Sequence, residues 1–124
     1  MNWNRFESVF FETDIKDIKS DYDLTVMLRH HTVYPFQNLA FTIAIYSPSG
    51  ERRIKDMDVP LRKADNSFIA SGAGDLWDID IPVFQNFKFN EPGHYKIELE
   101  NRMSKYDTPG VIDIGLKISK SSNE

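Results

Sequence analysis

The side chains that could do chemistry in this sequence are histidines and carboxylates, because the chain has no cysteine. His30 and His31 are adjacent, and adjacent residues of a strand point to opposite faces, so the two could bind one metal ion only across a bulge. His94 lies far away in a turn with Pro92 and Gly93. We therefore interpret His30 and His31 as a surface or loop pair and predict no metal site there.

Three aspartates come closer to the pattern of a hard-cation site: Asp75, Asp78 and Asp80. Asp78 and Asp80 would share one face of a strand, where their oxygens could bind Ca²⁺ together with loop carbonyls. Outward carboxylates are also how an edge strand stays soluble and unpaired. We favour the solvated strand face over the calcium site.

Catalytic machinery is not evident in the sequence. The pairs Asp56/Asp58 and Glu98/Glu100 have the residue types of a glycosidase dyad, but nothing around them distinguishes them from a solvated strand face. There is no serine nucleophile elbow and no Ser/His/Asp set in a recognisable context. The segment 72–74 lacks the lysine and the following helix of a phosphate loop. We predict a protein that is not an enzyme and that binds no cofactor.

Six aromatic residues could instead form a ligand platform, because planar rings stack on sugar faces. They are Trp3, Tyr34, Phe36, Tyr46, Trp77 and Tyr106. A row of such rings exposed on one sheet face would indicate a carbohydrate-binding module, which is our alternative function. The competing interpretation is that most of these rings anchor the core or the loops.

Strands must position these side chains, because hydrophobic and polar residues alternate along much of the chain. The clearest runs are residues 95–100 and 110–119, which face each other across a short loop. A two-residue period predicts half-buried strands. In the second run, the residues predicted to point inward are Ile112, Ile114, Leu116 and Ile118.

The rest of the chain predicts more strands of the same kind. Residues 22–29 alternate cleanly, and residues 39–46 are apolar or small on both faces, which predicts a central strand. Residues 77–84 alternate again, with Ile79, Ile81 and Val83 inward, and the less regular runs are 6–11, 54–61 and 68–70. Between residues 13 and 20 we expect a connection that places Ile15 and Ile18 on the core.

About eight short strands, with a turn signal every ten or so residues, predict an all-β domain that is either an antiparallel sandwich or a barrel. We prefer an antiparallel β-sandwich of jelly-roll or immunoglobulin-like type, because one strand is buried on both faces while the others are polar on one. A length of 124 residues fits a single domain over residues 1–124.

Charge and hydropathy exclude further classes of function. The net charge is −4, and no basic cluster is larger than Arg52-Arg53 or Arg62-Lys63, so no nucleic-acid partner is expected. The longest apolar run, residues 39–46, is far shorter than the ~20 residues that span a bilayer. The first residues are polar and do not form a signal peptide.

Three stretches of the sequence look familiar. Residues 28–39 read Leu-Arg-His and then Tyr-Pro-x-x-Asn-Leu, residues 93–103 run from Gly-x-Tyr to Met, and residues 110–118 read Gly-Val-Ile-Asp-Ile-Gly-Leu-Lys-Ile. Together they resemble the gliding-motility lipoprotein GldH family of Bacteroidota, although Ser104 stands where that family usually has arginine. The positions that match are Arg29, Tyr34, Pro35, Asn38, Tyr95, Met103, Gly110, Asp113 and Gly115.

The resemblance implies a small protein of the cell envelope, lipid-anchored outside the cytoplasm, that supports gliding and associated secretion machinery without catalysis. Family members carry a signal peptide and a lipidated cysteine ahead of the domain. This chain has neither, so we interpret it as the soluble portion. The implied partners are envelope proteins of a motility or secretion complex, and the membrane through the lipidated N-terminus.

The matching residues also have a physical interpretation. Tyr34, Pro35 and Asn38 would shape a rigid loop, and Arg29 would bridge strands. Gly110 and Gly115 would permit a turn and close packing, so that Gly115→Val should be strongly destabilising. We expect these positions to serve the architecture first and an interaction surface second.

Overall fold

The computed structural model describes residues 3–105 and 107–121, and its regular elements in this part of the chain are all strands. None of the described residues belongs to a helix long and apolar enough to cross a membrane. The strands are β1 (Trp3–Asn4), β2 (Ser8–Ile15), β3 (Tyr22–His31), β4 (Asn38–Tyr46), β5 (Arg52–Pro60), β6 (Ser71–Ala73), β7 (Leu76–Phe87), β8 (Gly93–Asn101), β9 (Asp107–Thr108) and β10 (Val111–Lys120).

The strands form two antiparallel four-stranded sheets, with the orders β10-β3-β7-β6 and β2-β8-β4-β5, and the two-stranded pair β1-β9. The core lies between the two larger sheets, where alternate residues of β3, β4, β7 and β8 are buried. Phe89 is surrounded by the rings of Tyr22, Phe87 and Tyr95, with centroids 4.7–5.2 Å away. The predicted antiparallel β-sandwich is confirmed.

The predicted central strand is also confirmed. β4 lies between β8 and β5, so both of its edges are hydrogen-bonded. Its inward residues, such as Phe41 and Ile43, are fully buried, and the middle outward residues, Ala40, Thr42 and Ala44, are small. Thr42 and Ala44 are buried as well. The Thr42 hydroxyl donates to Asp56 Oδ1 of β5 over 3.1 Å, and Arg102, which follows β8, donates from Nε to Thr42 Oγ1 over 3.2 Å.

The two terminal runs are strands, but they belong to different sheets. β8 pairs with β2 and β4, whereas β10 pairs with β3. Ile112, predicted to point inward, is exposed because the pairing of β10 with β3 shifts between Val111 and Asp113. Because of this irregularity, Val111 is buried instead of Ile112.

Two further predictions were wrong in detail, one about Ile18 and one about residues 68–70. Ile15 is buried as the last residue of β2, but Ile18 is exposed. The carboxylate of Asp17 accepts the N–H groups of Lys19 and Ser20, over 2.9 and 3.3 Å, and so turns the chain away from the core.

The predicted strand at residues 68–70 is instead part of a compact loop with a single bridge between Arg62 and Phe68. Arg62 holds this loop together, because its guanidinium donates to the carbonyls of Asn66 and Tyr34, both over 2.9 Å. The same guanidinium lies 4.2 Å from the centroid of the Phe68 ring. Regular pairing begins only at β6, after the loop.

Candidate functional site

His30 and His31 point to opposite faces of β3, as predicted, but only His31 is at the surface. His30 is fully buried, with its ring 4.7 Å from that of Phe68 and 5.5 Å from that of Tyr34. Burial lowers the pKa of His30 and favours its neutral form. The surface-pair interpretation is therefore wrong for His30, because the inward face of β3 continues through this residue.

The aspartates of β7 face solvent as predicted, but Asp78 forms an ion pair. Arg29 on β3 donates from Nε and Nη2 to the two oxygens of Asp78, over 2.7 and 3.1 Å. This bidentate pair lowers the pKa of Asp78 and confirms the prediction that Arg29 bridges strands. Within residues 3–105 and 107–121, no three His, Asp or Glu side chains are placed to hold a metal ion.

The carboxylate pairs lie on the outer face of the other sheet. Glu98 accepts the hydroxyl of Tyr46 over 2.7 Å and that of Ser8 over 2.5 Å. These hydrogen bonds, with that of Ser8 first, lower the pKa of Glu98, whereas a general acid needs a raised one. Asp56 and Asp58 are exposed, and none of the carboxylates whose side chains the structure describes, a set that leaves out Asp107, is buried.

The aromatic residues do not form an exposed row. Trp3 and Tyr34 are buried in the core, while Phe36, Tyr46 and Trp77 are half-buried. Tyr106 lies outside the described residues. The carbohydrate-binding alternative therefore gains no support from the placement of these rings.

Three of the family-motif positions meet where the loops approach β4, and of these Tyr34 is buried. Tyr34, Asn38 and Gly110 form what we call the loop cluster. The Tyr34 hydroxyl donates to the Asn38 carbonyl over 2.7 Å, and burial raises the pKa of Tyr34. Gly110 has a φ of +92°, and a Cβ placed on it would lie 2.9 Å from the Tyr34 Cα. Pro35 is exposed within the same loop.

Tyr95 and Met103 are anchors as well. The hydroxyl of Tyr95, a buried residue, donates to the Glu91 carbonyl over 2.7 Å, and so ties the turn before β8 to the start of that strand. Met103 is buried, and its Sδ lies 3.1 Å from the backbone nitrogen of Ala40, which donates to it. These two positions, like the loop cluster, hold chain reversals against the core.

The remaining motif positions meet on the outer face of the sheet β10-β3-β7-β6. Arg29 of β3 is in register with Asp113 of β10 on one side and with Asp78 of β7 on the other. Gly115 lies opposite Met27 in the next outward row. We call this surface the arginine face, and it consists of Met27, Arg29, Asp78, Asp80, Asp113 and Gly115.

The arginine face contains a shallow depression of about 320 Å³. Gly115 leaves the Met27 side chain uncovered, so that an apolar floor lies beside a half-exposed arginine and three carboxylates. Arginine and methionine are enriched in protein interfaces. Because Arg29 and Asp78 stabilise each other's charged forms, neither is suited to transfer a proton near neutral pH.

Gly115 does not pack closely against a neighbouring strand, contrary to the expectation from the sequence. A Cβ at this position would meet the Met27 Cε at 3.2 Å, and the next atom is 3.8 Å away. Since the end of a methionine side chain moves easily, the structure gives no reason for the strong destabilisation expected of Gly115→Val.

Sequence reasoning missed Asn101, the fully buried amide at the end of β8. Its Nδ2 donates to the Trp3 carbonyl and to Thr108 Oγ1, both over 2.9 Å, and its Oδ1 accepts the Met103 N–H over 2.8 Å. It thereby ties β1 and β9 to the main sheet. The period-two pattern, counted on from Leu99, places residue 101 inward and could have identified this buried polar side chain.

His94 was also missed as an interacting residue. Its Nδ1 lies 2.8 Å from Asp14 Oδ1, and its Nε2 lies 2.7 Å from Glu12 Oε1. The carboxylates of Glu12 and Asp14 raise the pKa of His94. No signal in the sequence could have shown this, because it depends on the pairing of β2 with β8.

Comparison with known proteins gives consistent matches over nearly the whole chain. The family described as GldH lipoprotein matches residues 1–118. The gliding motility lipoprotein GldH homolog of Christiangramia forsetii is 28% identical over 128 residues, which cover 98% of this chain and 79% of that protein. The gliding motility lipoprotein GldH of Flavobacterium johnsoniae is 25% identical over 125 residues, which cover 95% and 77%.

A weak structural similarity links the chain to VP2 of the infectious bursal disease virus subviral particle. The TM-score is 0.44 at 11% identity, over 95% of this chain and 28% of VP2, which is too distant to bear on function. The family match is different in kind, because it covers almost every residue that the structure describes. This protein belongs to the GldH lipoprotein family.

Proposed function

We propose that this protein is a noncatalytic domain of the cell envelope, held at a membrane by an N-terminal lipid, that supports gliding motility by binding another protein. Its relatives carry the names of gliding motility lipoproteins, which supports both the motility role and the anchor. The proposed partner is an envelope protein of the motility machinery or of a secretion apparatus associated with it. The proposed binding surface is the arginine face.

The observation that carries this proposal is the meeting of Arg29, Asp113 and Gly115 on one exposed surface. The motif residues of the loop cluster have structural tasks that explain them. An exposed ion pair such as Arg29 with Asp78 contributes little to stability, so the fold alone does not account for it. An arginine beside an uncovered methionine is instead suited to a partner's surface.

The absence of catalysis is proposed on chemical grounds. The one buried titratable histidine of the described chain, His30, is enclosed by aromatic rings in the core. The carboxylates of the arginine face are exposed, and the pKa of Asp78 is lowered rather than raised. A surface of this kind can hold a partner but has no group prepared to react.

The test is an affinity capture from envelope extract with the full-length, lipidated protein. Gly115→Lys fills the depression without touching the core, while Ile54→Lys places the same charge at an exposed position on the outer face of the other sheet. We expect a reproducible partner with the unchanged protein and with Ile54→Lys, and a loss of at least ten-fold with Gly115→Lys. Equal recovery with all three proteins, each shown to be folded by its melting temperature, would refute the arginine face.

The speed of cells on a surface is a second measurement. Cells that carry Gly115→Lys as their only copy should move more slowly on a surface than cells that carry Ile54→Lys, at equal amounts of protein in the envelope. Equal speeds would contradict the link between this face and motility.

A further inference from the structure

Two phenylalanine rings are exposed at one corner of the sheet β2-β8-β4-β5. Phe6 and Phe10 are 52% and 51% exposed. Phe10 points outward from β2, and Phe6 lies in the turn that precedes this strand. We call this surface the phenylalanine corner, and it consists of Arg5, Phe6, Phe10, Lys96 and Arg102.

Cationic side chains lie on both rings. The guanidinium carbons of Arg5 and Arg102 are 4.6 and 5.5 Å from the Phe6 centroid, and Lys96 Nζ is 4.4 Å from the Phe10 centroid. Long cationic side chains can extend away from an apolar surface and keep their charges in water. Apolar rings among such side chains are typical of surfaces that enter the headgroup region of a membrane.

The backbone at Phe6 favours glycine over a residue with a large ring. Phe6 has a φ of +66°, in the left-handed region, which is unfavourable for a bulky side chain. The turn is fixed by hydrogen bonds from the Glu7 N–H to the Asn4 carbonyl over 3.0 Å and from the Phe6 N–H to the Asn101 carbonyl over 2.8 Å. Glycine would fit this turn without strain. Backbone strain of this kind concentrates at functional positions.

The phenylalanine corner is also close to the start of the described chain. Trp3 is buried, and its Nε1 donates to the Glu7 carbonyl over 2.8 Å, so this part of the chain is fixed to the domain. Phe6 is three positions along the chain from the fixed Trp3, a span of about 10 Å at most. A segment that carries a membrane anchor ahead of Trp3 would therefore leave the domain beside this corner.

We propose that the phenylalanine corner docks onto the phospholipid surface that carries the lipid anchor and so fixes the orientation of the domain. This inference rests on the lipid anchoring in the proposed function. Phe6 and Phe10 would enter the headgroup region, and Arg5 and Lys96 would pair with lipid phosphates, while Arg102 is held by Glu100 over 2.9 Å.

The charges along β2 favour one orientation of this strand relative to the membrane. Glu12 and Asp14 follow Phe10 on the same outward face, and His94 lies between them. At the other end, Glu98 and Glu100 lie opposite Phe10 and Ser8, but Glu98 accepts the Ser8 and Tyr46 hydroxyls and Glu100 pairs with Arg102. Lipid phosphates would repel the Asp14 end more strongly, because Glu12 and Asp14 share one histidine. The Phe6 end of β2 therefore lies toward the membrane, and the Asp14 end points away from it.

The depth of each position can be measured directly. Since the chain has no cysteine, one cysteine added ahead of Met1 couples it to a maleimide lipid in vesicles of phosphatidylethanolamine and phosphatidylglycerol. Phe10→Trp and Ile54→Trp place an indole at two positions of equal exposure, in the same cross-strand row but on opposite edges of the sheet. We expect lipids with brominated chains to quench the new fluorescence of Phe10→Trp, and that of Ile54→Trp to be unaffected.

Equal quenching at the two positions, or none at either, would overturn the proposal. Binding of a protein through Phe10, without quenching by lipid, would overturn it as well and would assign the corner to a protein partner. Lipidation is tested separately by fractionation of the full-length protein. If that protein is absent from the membrane fraction, the proposed function fails; if it is present but Phe10→Trp is not quenched, only this inference fails.

A second set of variants separates binding from folding. Phe6→Gly and Phe10→Thr should each weaken the partition of the untethered chain into the same vesicles by about five-fold, because each removes a half-exposed ring. Phe6→Gly should also keep or raise the melting temperature, since it relieves the left-handed backbone. A lowered melting temperature with unchanged partition would show that Phe6 serves the fold and would refute its role at the membrane.

Discussion

Gly110→Ala tests the separation of the family-motif positions into structural and exposed groups. The residue has a φ of +92°, and the added methyl group would lie 2.9 Å from the Tyr34 Cα and 3.0 Å from its backbone nitrogen. Left-handed backbone costs an alanine about 1–2 kcal/mol. The contact with backbone atoms cannot be relieved by rotating a side chain, so it adds a similar free-energy cost. We expect a loss of about 2–4 kcal/mol in the free energy of unfolding.

Gly115→Ala is the matched control. Its added methyl group meets only the flexible end of Met27, and no left-handed φ is required. Alanine also loses less conformational entropy in a strand than glycine does, so stability should be unchanged or slightly higher. The measurement is urea unfolding followed by circular dichroism, with equal slopes for the compared proteins. Equal stabilities for Gly110→Ala and Gly115→Ala would refute the assignment of the two glycines to different roles.

Three other predictions follow from buried or paired polar groups. Asn101→Ala removes three hydrogen bonds and leaves buried partners unsatisfied, so it should cost about 2–4 kcal/mol in urea unfolding, whereas the exposed Asn90→Ala should cost little. Tyr95→Phe removes the hydrogen bond to the Glu91 carbonyl and should cost about 1 kcal/mol, measured in the same way; no change would contradict the anchoring of that turn. Because Glu12 and Asp14 raise the pKa of His94 above its ordinary 6.5, its contribution to stability is fully present below pH 6.5 and is lost as the pH rises through the raised pKa. His94→Gln should abolish this alkaline loss in melting temperatures recorded across pH, and an unchanged profile would contradict the interaction.

Much of the fold could be predicted because period-two patterns report directly which side chains are buried. The alternation in residues 22–29 and 77–84 correctly predicted which residues point inward, and the apolar run 39–46 correctly predicted the central strand. The errors arose where local chemistry overrides the period. The shift between Val111 and Asp113 reversed the side of Ile112, and the capping by Asp17 turned Ile18 outward.

The candidate surfaces were less predictable, because they depend on which strands become neighbours. Nothing local indicates that Arg29 lies between Asp78 and Asp113, or that His94 lies beside Glu12 and Asp14. The left-handed conformation of Phe6 was equally hidden, since phenylalanine usually avoids it. The resemblance indicated the right family, but only the pairing of strands separates its buried positions from its exposed ones.

The most direct test of the account is site-specific photo-crosslinking in living cells. A photoreactive phenylalanine analogue replaces Met27 on the arginine face, or Ile54 on the outer face of the other sheet, in the full-length lipidated protein. The account predicts one discrete protein adduct at Met27, its loss when Gly115→Lys is added, and no such adduct at Ile54. The same adducts at both positions, or none at Met27 in moving cells, would contradict the claim that this protein works by binding a partner through the arginine face.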